Sequence, residues 1–166
     1  MAVPIEDYAF LSDLSTGALI SRQGGVDWLC LPRFDSASIF GALLGSEEHG
    51  RWLLTPNDPD AHVVERLYVD STFVLETTWK TSRGKVRITD FMPVGEGRSS
   101  LMRRVTGVSG AVTLRQELRI RPRYGAVLPW MSRRRVNATP EGSEVLFAMA
   151  GPDAWGVEGA PSTPRP

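Results

Sequence analysis

The amino-acid sequence predicts an all-β fold, an antiparallel β-sandwich with one short helix. Short segments rich in β-branched and aromatic residues recur along the chain and are separated by Gly and Pro turns, as in β-sandwiches. Only one segment has the apolar spacing of a helix. The 166 residues, 42% hydrophobic and 23% charged, have a globular composition and can bury a core without a metal or disulfide staple.

The first predicted element is a β-hairpin with strands at residues 18–22 and 26–31. Residues 23–25 form its turn, because glycine tolerates the positive φ of tight hairpin turns. In the strand predicted at residues 112–120, the polar side chains Thr113, Arg115, Glu117 and Arg119 share one face. This alternation predicts that one face of the strand is exposed. The later predicted strands span residues 72–79, 85–91, 101–108, 112–120 and 144–148.

The predicted helix covers residues 36–44. Ser36 or Ser38 is a candidate N-cap, and Gly45 follows the last apolar residue, where glycine commonly ends a helix. The apolar stripe of this helix comprises Ile39, Phe40, Leu43 and Leu44.

Side chains that carry chemistry are scattered. His49 and His62 lie in polar contexts without a Ser or Cys motif, and the acidic cluster within residues 57–60, Asp58 and Asp60, lies in a Pro-containing turn. The single cysteine, Cys30, is predicted to be a small buried hydrophobic residue. No phosphate-binding glycine loop precedes a helix, and the one acidic cluster is a turn, so we expect neither a cofactor nor a metal. Asp27, Glu76 and Asp90 are the strand carboxylates that a glycosidic acid–base pair could use.

Charge is unevenly distributed, although the net charge is zero. Residues 98–135 carry ten Arg against one acid, Glu117. Such a block either binds phosphate or faces an acidic patch on the same fold or a neighbouring domain. No nucleic-acid recognition motif accompanies it, so we expect no nucleic-acid partner. The sequence has no apolar run that could span a bilayer, and a soluble, cytoplasmic protein is expected.

The densest region surrounds one proline. Trp28 lies in the second hairpin strand, which ends at Pro32, and Arg33, Phe34, Asp35 and Ser36 form the loop that follows. A planar guanidinium beside aromatic rings and a carboxylate suits recognition of a hydroxyl-rich ligand or a protein surface. The alternative is an internal Arg33–Asp35 turn with Phe34 filling the core.

This region is part of a wider resemblance. The run DWLCLPRFDS at residues 27–36, together with the flanking segments, resembles the N-terminal domain of bacterial glycoside hydrolase family 15 proteins, the glucoamylase- and trehalase-like group. The resemblance covers roughly residues 5–150. Its segments are residues 5–13, 16–21, 25–36 with Phe40, 75–77, 88–93 and 103–105.

The resemblance implies a trehalase-like N-terminal β-sandwich at residues 1–157 and a linker or tail at residues 158–166. In that family a C-terminal (α/α)₆ barrel holds both catalytic carboxylates, so no residue of this chain is expected to be catalytic. The barrel, in cis or in trans, is the implied partner. The resemblance also implies that Asp27, Trp28 and residues 33–36 lie at the barrel contact or near the substrate.

The substrate implied by the resemblance is trehalose or an α-glucan, and the sequence does not choose between them.

Self-association is also expected, because an apolar docking surface that no barrel covers tends to bind another copy of the chain. The candidate contacts are Phe40, Leu43 and Leu44. The alternative function is a free carbohydrate-binding module that stacks sugars on exposed tryptophans. The five candidates are Trp28, Trp52, Trp79, Trp130 and Trp155.

Overall fold

The computed structural model describes residues 3–95, 97–136 and 143–159. Within these residues the chain forms β-strands and three single-turn 3₁₀ helices, at Ile5–Asp7, Ala42–Leu44 and Glu47–His49. The strands are β1 (Tyr8–Ser12), β2 (Gly17–Ser21), β3 (Gly25–Cys30), β4 (Ser38–Phe40), β5 (Arg51–Pro56), β6 (His62–Tyr68), β7 (Leu75–Lys80), β8 (Gly84–Phe91), β9 (Met102–Gly110), β10 (Leu114–Arg119), β11 (Trp130–Val136), β12 (Ser143–Ala150) and β13 (Asp153–Glu158).

The strands form three antiparallel sheets. Sheet A has the order β1-β2-β3-β5-β10, with β4 paired to β3. Sheet B is β6-β7-β8-β9 and sheet C is β11-β12-β13. This architecture confirms the predicted all-β class. No helix in the described part of the chain is long and apolar enough to cross a membrane.

Sheet A lies at the centre of the core. The larger apolar cluster joins its residues, such as Leu11 and Ile20, to Leu75 of sheet B and Leu146 of sheet C. A smaller cluster joins Leu54 of sheet A to sheet B residues that include Trp79. Sheet A therefore packs against both other sheets, as expected for a sandwich whose strands bury alternate side chains.

The first hairpin is confirmed as β2 and β3. Gly24 in its turn has φ +87°, and a Cβ there would collide with the Leu54 carbonyl oxygen. Glycine is thus required both by the backbone conformation and by the close approach of β5.

Two detailed predictions were wrong. Residues 36–44 form no continuous helix: Ser38–Phe40 is a buried strand, and only Ala42–Leu44 makes a single 3₁₀ turn. Pairing with β3 gives Ile39 and Phe40 a place in the core, which overrides the helical spacing.

The second error concerns part of the polar face of residues 112–120: Thr113 and Arg115 are exposed as expected, but the rest of that face, in β10, is not. Glu117 and Arg119 are both buried there, 3.4 Å apart in an ion pair. Arg115 also donates to Glu117 at 2.8 Å. Neighbouring opposite charges make this burial tolerable.

The domain boundary at residue 157 remains a prediction. Strand β13 extends to Glu158, and residues 160–166 of the predicted tail lie outside the described residues.

Candidate functional site

The candidate site is the loop between β3 and β4. It begins with a cis Leu31–Pro32 peptide bond. The Ser36 N–H donates to the Arg33 carbonyl at 3.0 Å, and the Arg33 N–H donates to Ser36 Oγ at 3.1 Å. These two reciprocal bonds close a tight turn around Phe34 and Asp35 and so fix the direction of both side chains.

The loop is also anchored to the turn between β1 and β2. The Phe34 N–H donates to the Ser15 carbonyl at 3.2 Å. Asp13 Oδ1 in turn accepts from the N–H groups of Ser15 and Thr16, at 2.9 and 2.8 Å. Two rigid turns therefore hold the position of Phe34.

Arg33 and Asp35 pair with each other in solvent. Arg33 Nε donates to Asp35 Oδ1 at 2.9 Å, and Nη2 contacts Oδ2. The hydrogen bonds and charge of the guanidinium lower the pKa of Asp35. The side chains are 67% and 68% exposed, so the pair supplies little stability and leaves further N–H donors free for a partner.

An aromatic surface accompanies this pair. Phe34 stacks on Trp28 (centroids 6.4 Å apart) and on Phe10 (6.5 Å), and Phe10 meets the edge of Phe73 at 5.9 Å. Phe34 is 49% exposed and Phe73 is similar, so Phe34 does not fill the core. We call Phe10, Trp28, Phe34 and Phe73 the aromatic surface.

Asp27 has a different environment from the rest of the predicted site. Its side chain is buried and accepts a hydrogen bond from the Tyr8 hydroxyl at 2.9 Å. Burial, and then the charge of Asp27, raise the pKa of Tyr8. Because side chains alternate along a strand, Asp27 and Trp28 point to opposite faces of β3. Asp27 therefore lies on the face of β3 opposite the aromatic surface.

The strand carboxylates each have their own structural partner. Asp90 pairs with Arg103 (2.8 Å) and Glu76 with Arg87 (3.3 Å). The register of β7 and β8 places Glu76 opposite Thr89 and Asp90 opposite the core residue Leu75, so the two acids face opposite sides of sheet B. This arrangement differs from a glycosidase pair, whose carboxyl groups flank one substrate.

Other reactive groups are isolated. Cys30 is buried, and this burial raises the pKa of its thiol. The described residues contain no group of three or more His, Cys, Asp or Glu side chains that could hold a metal ion.

The arginine-rich block is divided among the sheets. Arg103 and Arg119 are buried in ion pairs with Asp90 and with Glu117 and Glu48, while Arg133 contacts Glu144. These contacts fit the interpretation that the block faces acids on the same fold.

Sequence reasoning missed Phe10 and Phe73 as members of the aromatic surface. A signal existed for Phe10, because it alternates with Ala9 and Leu11, which are buried. An outward aromatic residue in a strand is a recognisable feature. Phe73 lies in an irregular segment, where alternation gives no information.

The family model described as "Trehalase-like, N-terminal" matches residues 1–157. A trehalase of Mycobacterium tuberculosis is 43% identical over 93 residues, which are 56% of this chain and 13% of that protein. A trehalase of Mycolicibacterium smegmatis is 44% identical over 92 residues, covering 55% and 14%.

A more distant relative is trehalase 1 of Sulfolobus acidocaldarius, 40% identical over 87 residues that make up 52% of this chain and 15% of that protein. The chain thus aligns with only a small, N-terminal part of these curated relatives. No solved structure matches it significantly.

Proposed function

Since the chain belongs to the trehalase-like, N-terminal family, we propose that it is the accessory domain of a family 15-like glycoside hydrolase of the trehalase or glucoamylase type. The observation that carries this proposal is the family match over residues 1–157 beside curated trehalases that are several times longer. Hydrolysis of trehalose or an α-glucan is the work of an (α/α)₆ barrel, in cis or in trans, and this domain braces that barrel.

The separate partners of Asp27, Glu76 and Asp90 support a non-catalytic role. Each carboxylate is engaged within a sheet, and an acid–base pair must instead face one glycosidic bond from two sides. We also propose a cytoplasmic location, in keeping with a sequence whose one cysteine cannot form an internal disulfide.

The aromatic surface and Arg33 are the proposed barrel contact. Half-exposed rings at a rigid loop provide apolar area with little conformational entropy to lose, as is typical of interface centres. Arg33 at the rim adds planar N–H donors that a carboxylate or carbonyl of the barrel can accept.

A chimera tests this proposal. The matched N-terminal segment of the M. smegmatis trehalase is replaced by residues 1–157, and glucose release from trehalose is measured. We expect activity from the chimera, none from the truncated relative, and none from the present chain alone. Adding the present chain to the truncated relative tests action in trans.

Two variants sharpen the test. Phe34→Ala in the chimera is expected to lower activity, whereas Val108→Ala, which truncates an exposed valine of β9 outside the aromatic surface, is the matched control. Glucose release by the present chain alone, abolished by Glu76→Gln or Asp90→Asn, would show that the domain is itself catalytic and that the proposal is wrong.

A further inference from the structure

The outer face of sheet C carries a second cluster of binding-type residues, far in sequence from the candidate loop. The register places Trp130 opposite Met149, Ser132 opposite Phe147 and Arg134 opposite Val145. Directly opposed residues of an antiparallel pair share a face. The alternate residues of these strands, including Leu146 and Ala148, lie in the core, so this cluster faces outward.

Trp130 is the most exposed of the five tryptophans, at 75%. Trp79 is buried, and Trp28, Trp52 and Trp155 are partly buried. The side chain of Trp130 therefore presents a large apolar ring to solvent, which is unusual for an isolated residue of this size.

A small cavity lies on the same face, and one of its lining residues, Met149, is paired with Trp130. Its volume is about 110 Å³, and it is lined by Ser132, Arg134, Phe147 and Met149. The Ser132 hydroxyl oxygen is buried and has no hydrogen-bond partner. Buried polar atoms almost always have partners, so an unpaired hydroxyl in a cavity indicates a position that a polar ligand group can fill.

We propose that this face binds a pyranose ring of a glucoside. The apolar C–H face of the sugar stacks on Trp130, and sugar hydroxyl groups pair with the Ser132 hydroxyl and the Arg134 guanidinium. The cavity is smaller than a typical small-ligand pocket, so it takes only hydroxyl groups of the sugar while the ring itself lies on Trp130. The choice of a glucoside rests on the proposed function, whereas the pyranose chemistry rests on these side chains.

The spacing also suits a saccharide longer than one ring. Residues two apart on a strand are about 6–7 Å apart, so Trp130, Ser132 and Arg134 form a row about 13 Å long. A flat protein surface could cover Trp130, but it would not reach into the cavity and would leave the Ser132 hydroxyl without a hydrogen-bond partner. These features favour a sugar over a docked protein.

The test uses the full 166-residue chain and three probes: trehalose, maltose and maltoheptaose. NMR spectra are recorded while each probe is titrated to high millimolar concentration. We expect saturable shifts of the Trp130 indole N–H, strongest with maltoheptaose. Trp130→Ala should weaken that binding by about tenfold or more.

Two further variants distinguish the possible causes. Ser132→Ala should weaken sugar binding severalfold while leaving the unfolding midpoint unchanged or raised, because it removes an unpaired buried hydroxyl. Leu128→Ala truncates a neighbouring exposed side chain that has no ring and should leave sugar binding unchanged.

The proposal is wrong if none of the three probes shifts the Trp130 signal, or if binding survives Trp130→Ala. It is also wrong if the chain binds no sugar and both Trp130→Ala and Leu128→Ala abolish its binding to a catalytic barrel. The outer face of sheet C would then be a protein contact. The titration needs only the present chain, so its failure is distinguishable from failure of the chimera.

Discussion

Arg103 and Asp90 form an ion pair that is almost wholly buried, with Nε 2.8 Å from Oδ1 and side chains 1% and 3% exposed. The other guanidinium nitrogens donate to the carbonyls of Trp52 (2.8 Å) and Gly24 (2.9 Å). The guanidinium carbon lies 5.4 Å from the centroid of the Trp52 ring. The Arg103 side chain of sheet B thus links the turn between β2 and β3 to strand β5, both of which belong to sheet A.

Removing Arg103 should destabilise the domain strongly. Arg103→Ala leaves the buried Asp90 charge and two carbonyls without a donor, and we expect the free energy of unfolding to fall by about 3–5 kcal/mol. Urea denaturation followed by tryptophan fluorescence measures this change. Arg104→Ala, an exposed neighbour on β9, is the control and should stay within about 0.5 kcal/mol of the parent chain. Equal losses in the two variants would contradict the assigned role.

The hydrogen bond from Tyr8 to Asp27 predicts sensitivity to alkaline pH. Burial and the Asp27 charge raise the pKa of Tyr8 in the folded state above its ordinary value of about 10. Above pH 10 the folded state therefore holds a proton that the unfolded chain has released. The contribution is complete below pH 10, and stability is lost as pH rises through the folded-state pKa.

Tyr8→Phe tests this linkage. We expect the variant to lose about 1–3 kcal/mol at neutral pH, because the buried Asp27 carboxylate loses its donor. Its stability should then fall less steeply than that of the parent chain above pH 10. Urea midpoints at several pH values measure both effects, and parallel alkaline limbs would refute the assignment.

Cys30 should be unreactive in the folded protein. Its side chain is buried, and burial raises the pKa of the thiol, so little thiolate forms at neutral pH. We expect a chromogenic thiol reagent to label Cys30 only at the rate of unfolding and to label it at once in concentrated urea. Fast labelling of the native chain would mean that β3 opens locally.

Local sequence patterns predicted where most strands lie but not which other strands they pair with. The β2–β3 hairpin could be predicted because alternation and a glycine turn specify it without the rest of the chain. The strand at Ser38–Phe40 could not, since its conformation is set by pairing with β3 and not by its own spacing.

The charged residues show the same limit. The sequence displays ten arginines at residues 98–135, yet nothing in it distinguishes Arg103, which is buried, from Arg104, which is exposed. That difference depends on Asp90 lying opposite Arg103 across β8 and β9. Likewise, the Arg33–Asp35 pair was one of two alternatives that the loop motif left open, while the stacking of Phe34 between Trp28 and Phe10 depends on the contact between two turns.

Self-association remains a prediction, with revised contacts. Phe40 is buried and cannot contribute, whereas Leu44 and the Phe34 and Phe73 rings of the aromatic surface are exposed. Apolar patches of several hundred Å² usually find partners. We expect light scattering at high concentration to show dimers or larger species in the parent chain and fewer in Phe34→Ser. A monomer at every concentration would count against an uncovered docking surface.

The last prediction concerns Arg33, whose two measurable effects should separate. Its pair with Asp35 is exposed, so Arg33→Ala should leave the urea midpoint of the domain unchanged. In the trehalase chimera the same change should lower activity severalfold, because a hydrogen-bonded charge buried at a domain contact contributes more than one in water. Arg33→Lys keeps the charge without the planar donors and should recover only part of the activity. If Arg33→Ala unfolds the domain, or leaves the activity of the chimera intact, then the loop is only scaffold and the contact lies elsewhere.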